Sequence, residues 1–144
     1  MEKYDVLKLD NQLCFPLYAA SREIIKKYRP FLDEIGLTYT QYITMMVIWE
    51  KESINVKELG DRLYLDSGTL SPVLKSLEAK GYITRRRKCD DERILIVSIT
   101  EPGEALKDAA LDIPSQITGC VNLRPDETAA LHSLLDKLLG VGKA

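Results

Sequence analysis

The chain has 144 residues, a net charge of −2 and 45% hydrophobic residues, the proportions of one globular domain that buries about 70% of its unfolded surface. No stretch of about 18 uninterrupted apolar residues occurs, which argues against a membrane span, and the charged start MEKYDVLKLD lacks an apolar signal core, so the cytoplasm is the expected compartment. Three cysteines, Cys14, Cys89 and Cys120, are an odd number without a CxxC pair, which argues against a secreted disulfide scaffold and a zinc site.

Asp10 is the candidate N-cap of a first helix, in which Leu13, Leu17, Ala20, Ile24 and Tyr28 recur at steps of three and four. Pro30 is expected to end it. Pro16 leaves two starts open: a helix that begins there, or one that begins at Asp10 and bends. Thr38 and Gln41 form a capping box for a second helix whose apolar face is Tyr42, Met45, Met46 and Trp49. Asn55 and Glu58 repeat the pattern for a short third helix with Val56, Leu59 and Leu63 inward. Asp66 or Ser67 caps a fourth, striped by Leu70, Val73, Leu74 and Leu77 and closed by Gly81.

After Gly81 the period changes. Residues 82–87 and 94–100 read as two strands around the polar turn KCDDER. A fifth helix starts near Thr100 and runs roughly to Gly119; a sixth starts at Arg124-Pro-Asp-Glu and carries Leu131, Leu134, Leu135, Leu138 and Leu139. The expected fold is mainly α with a small β-hairpin wing (α+β), in one domain over residues 1–144.

Charge is distributed unevenly. Residues 54–100 hold 9 basic and 7 acidic groups, whereas residues 1–53 hold 7 and 8 and residues 101–144 hold 4 and 7. The basic middle third coincides with helix, short turn, helix and basic hairpin, the order of a winged helix-turn-helix over residues 54–100. Ser67, Thr69, Ser71, Lys75 and Ser76 on the fourth helix suit a major groove. Arg93 at the hairpin tip suits a minor groove, and Arg85, Arg86, Arg87 and Lys88 suit phosphates. Double-stranded DNA is therefore the expected partner. A solvated strand edge and a simple helix cap are the plain readings of the same residues taken singly.

The flanking helices, residues 8–32 and 101–140, carry broad apolar faces. A homodimer on a palindromic site is their economical use; the alternative is a monomer that packs those faces on its own core. Cys14 has two readings as well, a small core residue or a thiolate favoured by a helix start. His132 is the sole histidine, and no Ser-His-Asp set or metal cluster can be built around it. No cofactor is called for.

The segments LYLDSGTLSPVLKSLEAKGYITRR and DDERILIVSITEPG resemble the MarR family of winged-helix regulators, and NQLCFPLYAASREIIKKY with LTYTQYITMMVIWE resembles its organic-hydroperoxide-sensing repressors. The resemblance spans roughly residues 8–139. It implies that Cys14 is the redox-sensing thiol, that Tyr28 and Tyr39, with Tyr18 as a third, place hydroxyls near it, and that Cys120 of the partner subunit is the resolving thiol. It also implies that Asp66, Ser67 and Thr69 start the recognition helix, and that Asp91 holds the wing while Arg93 enters the minor groove. Ser76, where relatives carry a basic residue, Pro16, Cys89 and the surroundings of Cys120 depart from the pattern.

The expected function is a redox-sensing, DNA-binding transcriptional repressor that releases its operator when an organic hydroperoxide oxidises Cys14. One alternative is a regulator released by a non-covalent phenolic ligand in a pocket of Tyr18, Tyr28, Tyr39 and Met45. Another is a thiol peroxidase, against which the absence of a thioredoxin-like βαβ order weighs.

Overall fold

The computed structural model describes residues 2–141. Two short 3-10 turns, Asp5–Leu7 and Leu9–Asn11, form an N-terminal arm. Gln12 Nε2 folds the arm on itself by donating to the carbonyls of Val6 (2.8 Å) and Lys8 (2.7 Å). Helix α1, Cys14–Ile35, follows. Asp10 therefore does not cap α1: it lies in the second 3-10 turn, and Leu13 stands at the N-cap without a side-chain bond. Pro16 is the third residue of the helix, where a backbone N–H has no intrahelical acceptor to lose.

Pro30 does not end α1 either; the helix passes through it to Ile35. Lys26 and Pro30 are both exposed, so the carbonyl that proline leaves unpaired faces water. Leu32 beyond it is only 2% exposed, and its burial continues the helix. Gly36, at φ 70°, makes the actual stop, with Leu37 N donating to Leu32 O (3.1 Å).

Helix α2, Tyr39–Lys51, has the expected Thr38–Gln41 capping box. It is the central helix. Gln41, Tyr42, Thr44, Met45, Val47 and Ile48 are all buried, while Met46 is exposed, so its burial exceeds the one-sided stripe expected. A strand absent from the sequence reading, β1 (Ser53–Asn55), comes next. It pairs antiparallel with β3 (Asp91–Ile99), which pairs on its other edge with β2 (Ile83–Lys88), giving the order β1-β3-β2.

Between β1 and β2 lie α3 (Val56–Leu63) and α4 (Ser67–Ala79), capped by Asn55 and Asp66. Tyr64 in the left-handed region (φ 56°) turns the chain between them. Gly60 is obligatory there, because a Cβ would lie 2.8 Å from the Leu65 carbonyl oxygen. The expected fifth helix is two: α5 (Glu101–Ala110) and α6 (Ile113–Cys120). Pro114 cannot donate to the Ala110 carbonyl, so the helix breaks one turn before it. Helix α7, Pro125–Leu139, closes the fold.

Met45, Ile48, Leu59, Leu70, Leu77 and Val97, all fully buried, centre the core between α2, α3, α4 and the sheet. The flanks are bare. Helix α7 buries no residue, and Leu134, Leu138 and Leu139 are more than half exposed. Leu13 is 80% exposed at the start of α1. A monomer that packs these faces on its own core is ruled out.

Candidate nucleic-acid interface and thiol site

The N-terminus of α4 is built by its cap. Asp66 Oδ1 accepts from Thr69 N at 2.7 Å, and this bond holds the carboxyl below the usual carboxylate range. Ser67 and Thr69 are exposed beside it, as is Lys75 further along; Ser71 is half-buried. Across from them stands the wing. Arg93 makes a fork on Asp91, Nε to Oδ1 at 3.0 Å and Nη2 to Oδ2 at 3.2 Å, while its backbone N–H donates to the same Oδ1 at 3.1 Å. Arg93 fixes the wing tip in this way while its own side chain remains 90% exposed. A cleft of about 570 Å³ joins the two parts and is lined by Lys57, Asp66 and Ser67 on the helical side and by Arg87 and Arg93 on the wing side.

Two residues expected at this interface are engaged elsewhere. Ser76 Oγ accepts from Gln41 Nε2 at 2.9 Å and so faces α2. Arg85 pairs with Glu78 of α4 at 2.9 Å, with its side chain 21% exposed. Strand alternation explains this: Arg85 shares a face with buried Ile83, whereas Arg86 points to solvent. The Arg85 pair ties β2 to α4; Asp66, Ser67, Arg87 and Arg93 line the cleft together, and Thr69 and Lys75 are exposed on α4.

The thiols are exposed and unpaired. Cys14 is the first residue of α1, and Cys120 is the last of α6, a helix that packs along α1. Cys89 sits in the two-residue turn between β2 and β3. Tyr18, one turn after Cys14, is 59% exposed and accepts from Arg22 Nη1 at 3.3 Å. Tyr28 and Tyr39 meet edge to face, ring centroids 5.0 Å apart. The sequence reading missed a third member: Tyr42 lies 5.8 Å from Tyr28 and 6.4 Å from Tyr39. The available signal was the three-residue step from Tyr39 to Tyr42 on one helix. Burial, reinforced by Tyr39 and Tyr42, pushes the Tyr28 phenol up to about 12, and burial raises Tyr39 and Tyr42 as well. All three are neutral donors at physiological pH.

One chain does not bring Cys14 to this cluster. Fourteen residues of a continuous helix separate Cys14 from Tyr28, a rise of roughly 21 Å. Nor do the four residues of the expected phenolic pocket converge. Met45 is fully buried, Tyr28 and Tyr39 pack on each other, and Tyr18 stands about 15 Å along α1 from Tyr28.

A helix-turn-helix with a basic two-stranded wing, carried on bare dimer-type flanks, defines a winged-helix transcriptional regulator. The family model for the transcriptional regulators SarA/Rot matches residues 22–110. The chain is 49% identical to the organic hydroperoxide resistance transcriptional regulator of Bacillus subtilis, over 95% of this chain and 93% of that protein. Reduced AbfR bound to DNA, a protein of Staphylococcus epidermidis, superimposes with a TM-score of 0.78 at 34% identity, over 96% of this chain and 97% of that one. The disulfide form of AbfR gives 0.65 at the same identity, over 95% and 96%. The chain belongs to the MarR-type regulators, with the organic hydroperoxide resistance regulators.

Proposed function

We propose that this protein is a homodimeric repressor that binds a palindromic operator when reduced and releases it when an organic hydroperoxide oxidises Cys14. The observation that carries the reading is the exposed thiol at the first turn of α1, between the exposed Leu13 and Phe15, in a chain whose relative is an organic hydroperoxide resistance regulator. Residues 54–100 form the DNA-binding unit, and α1, α6 and α7 with the N-terminal arm form the dimer flanks.

A composite sensor follows from the distances. The ~21 Å along α1 keeps Cys14 from its own Tyr28, so Tyr28 and Tyr39 of the partner subunit supply the phenols. Being protonated, they donate to the thiolate and hold it in place. The thiolate attacks one peroxide oxygen; the O–O bond breaks, a sulfenic acid forms, and the alkoxide leaves as an alcohol after taking a proton from a phenol or water. Cys120 of the partner subunit then attacks the sulfenic sulfur, forming a disulfide and releasing water. The two α4 helices lose the spacing of the half-sites, which costs affinity at both. The same sulfur chemistry would serve a peroxidase; the winged-helix fold and the regulator relatives support its use as a switch on DNA binding.

The test is a gel without reductant after treatment with cumene hydroperoxide, beside an operator-binding assay. A disulfide-linked dimer is expected in the wild type and absent from Cys120→Ser. A Cys14→Ser protein that still leaves DNA on oxidation, or sustained peroxide turnover with a thiol donor, would overturn the assignment.

A further inference from the structure

Gln41 is a buried amide, 7% exposed, with more work than a capping box needs. Its Oε1 accepts from Thr38 N at 3.0 Å, which closes the box at the start of α2. The same oxygen accepts from Lys80 Nζ at 3.1 Å, and its Nε2 donates to Ser76 Oγ at 2.9 Å. Lys80 also donates to the carbonyl of Gly36, the residue that stops α1. One side chain thus stitches the α1–α2 corner to the last turn of α4. Its bonds reach two separate parts of the chain, the start of α2 and the end of α4, and burial makes each one costly to leave unmade.

The positions at the two ends of this stitch matter. Tyr39, the first residue of α2, stands two residues before Gln41 and packs on Tyr28. At the other side, Ser76 and Lys80 end the helix whose opposite end, Ser67 and Thr69, faces the interface. Across the 13 residues of α4, roughly 20 Å of rigid helix separates the two ends. A small rotation imposed at Ser76 and Lys80 therefore becomes a larger displacement at Ser67. An amide held by three side-chain hydrogen bonds resists smooth deformation, which is what a coupling element needs.

We infer that Gln41 is a positioning residue that couples the tyrosine cluster to the orientation of the recognition helix through Ser76 and Lys80. The inference rests on the proposed redox reading and adds to it the route by which the sensor acts on α4. Gln41 is buried and acts through the residues it bonds. Gln41→Met keeps the side chain's length and apolar stem while removing all three bonds. Lys80→Met, at an exposed position, removes only the lysine branch and leaves the capping box intact.

The experiment measures operator Kd for reduced and peroxide-treated protein in the wild type, both variants and the double variant. The readout is the ratio of the two values for each protein, which a uniform loss of stability leaves alone. The expected result is a ratio at least five-fold smaller in Gln41→Met than in wild type, a smaller drop in Lys80→Met, and a double variant no worse than Gln41→Met. Equal ratios in all four proteins would overturn the inference, as would weaker binding in both redox states with the ratio intact, which assigns the network to the scaffold. A wild type whose affinity does not change on oxidation removes the redox reading itself, and the coupling with it.

Discussion

Gly103 gives the sharpest stability test. It is the third residue of α5 and is buried against the joint between α4 and β2. An added Cβ would lie 2.1 Å from the Tyr82 carbonyl oxygen and 3.1 Å from Ile99 Cγ1, where about 3.5 Å is the comfortable separation. Both near atoms on the Tyr82 side are backbone, so α5 has to retreat by more than ~1 Å. Three bonds meet there: Thr100 N to Tyr82 O (3.1 Å), Thr100 Oγ1 to Gly81 O (2.6 Å) and Trp49 Nε1 to Gly103 O (2.9 Å). Overpacking costs about 1–3 kcal/mol, each weakened bond about 1 kcal/mol, and alanine's better helix propensity returns about 1 kcal/mol. Gly103→Ala is expected to lose about 3–5 kcal/mol net. Gly119, in α6, has nothing within 4 Å of its ideal Cβ, so Gly119→Ala is the control and should be neutral or gain up to about 1 kcal/mol. Urea unfolding at one fixed protein concentration, followed by the fluorescence of the single tryptophan, Trp49, measures both. A Gly103→Ala midpoint at or above that of the wild type would refute the packing argument.

Alkaline pH tests the tyrosine cluster. A phenol raised to about 12 in the folded state, against 10.0 unfolded, contributes stability that is complete below pH 10 and is lost as pH rises through 12; phenolate absorbance at 295 nm should rise late, and Tyr28→Phe should flatten the loss of stability between those limits. Acid pH tests the α4 cap: Asp66 is held low, so its contribution is present above the unfolded value and fades as pH falls below it, and Asp66→Ala should show a shallower acid limb in the melting temperature. Arg93→Ala should weaken operator binding and reduce the slope of log K against log salt by about 1 if the guanidinium contacts phosphate, or relax A·T preference if it enters a minor groove; no change in either measurement would remove Arg93 from the interface. Leu134→Glu with Leu138→Glu should dissociate the dimer in sedimentation, each leucine withdrawing about 1.5–3 kcal/mol of burial.

The order helix, turn, helix, hairpin was readable because each boundary carries its own chemistry: the Thr38–Gln41 box, the Asn55 and Asp66 caps and Gly81 at φ 84°. Where tertiary contacts decide, local signals mislead. Pro30 looks like a stop, yet burial of Leu32 carries α1 past it. Strand β1 has three residues, too short for an alternation to register, and exists because the β3 edge has bonds to offer. Ser76 and Arg85 resemble DNA ligands by type; only the packing of α4 on α2 and β2 reveals their internal partners. Cys14 and Tyr28 look like neighbours in a motif, while fourteen residues of helix, roughly 21 Å of rise, stand between them.

Bare apolar flanks also make the protein's genetics communal. Subunits that need a companion to cover α7 will pair with whatever copy is at hand, intact or damaged. A chain with a crippled wing but sound flanks, co-expressed with the normal one, should poison mixed pairs and behave as a dominant-negative allele.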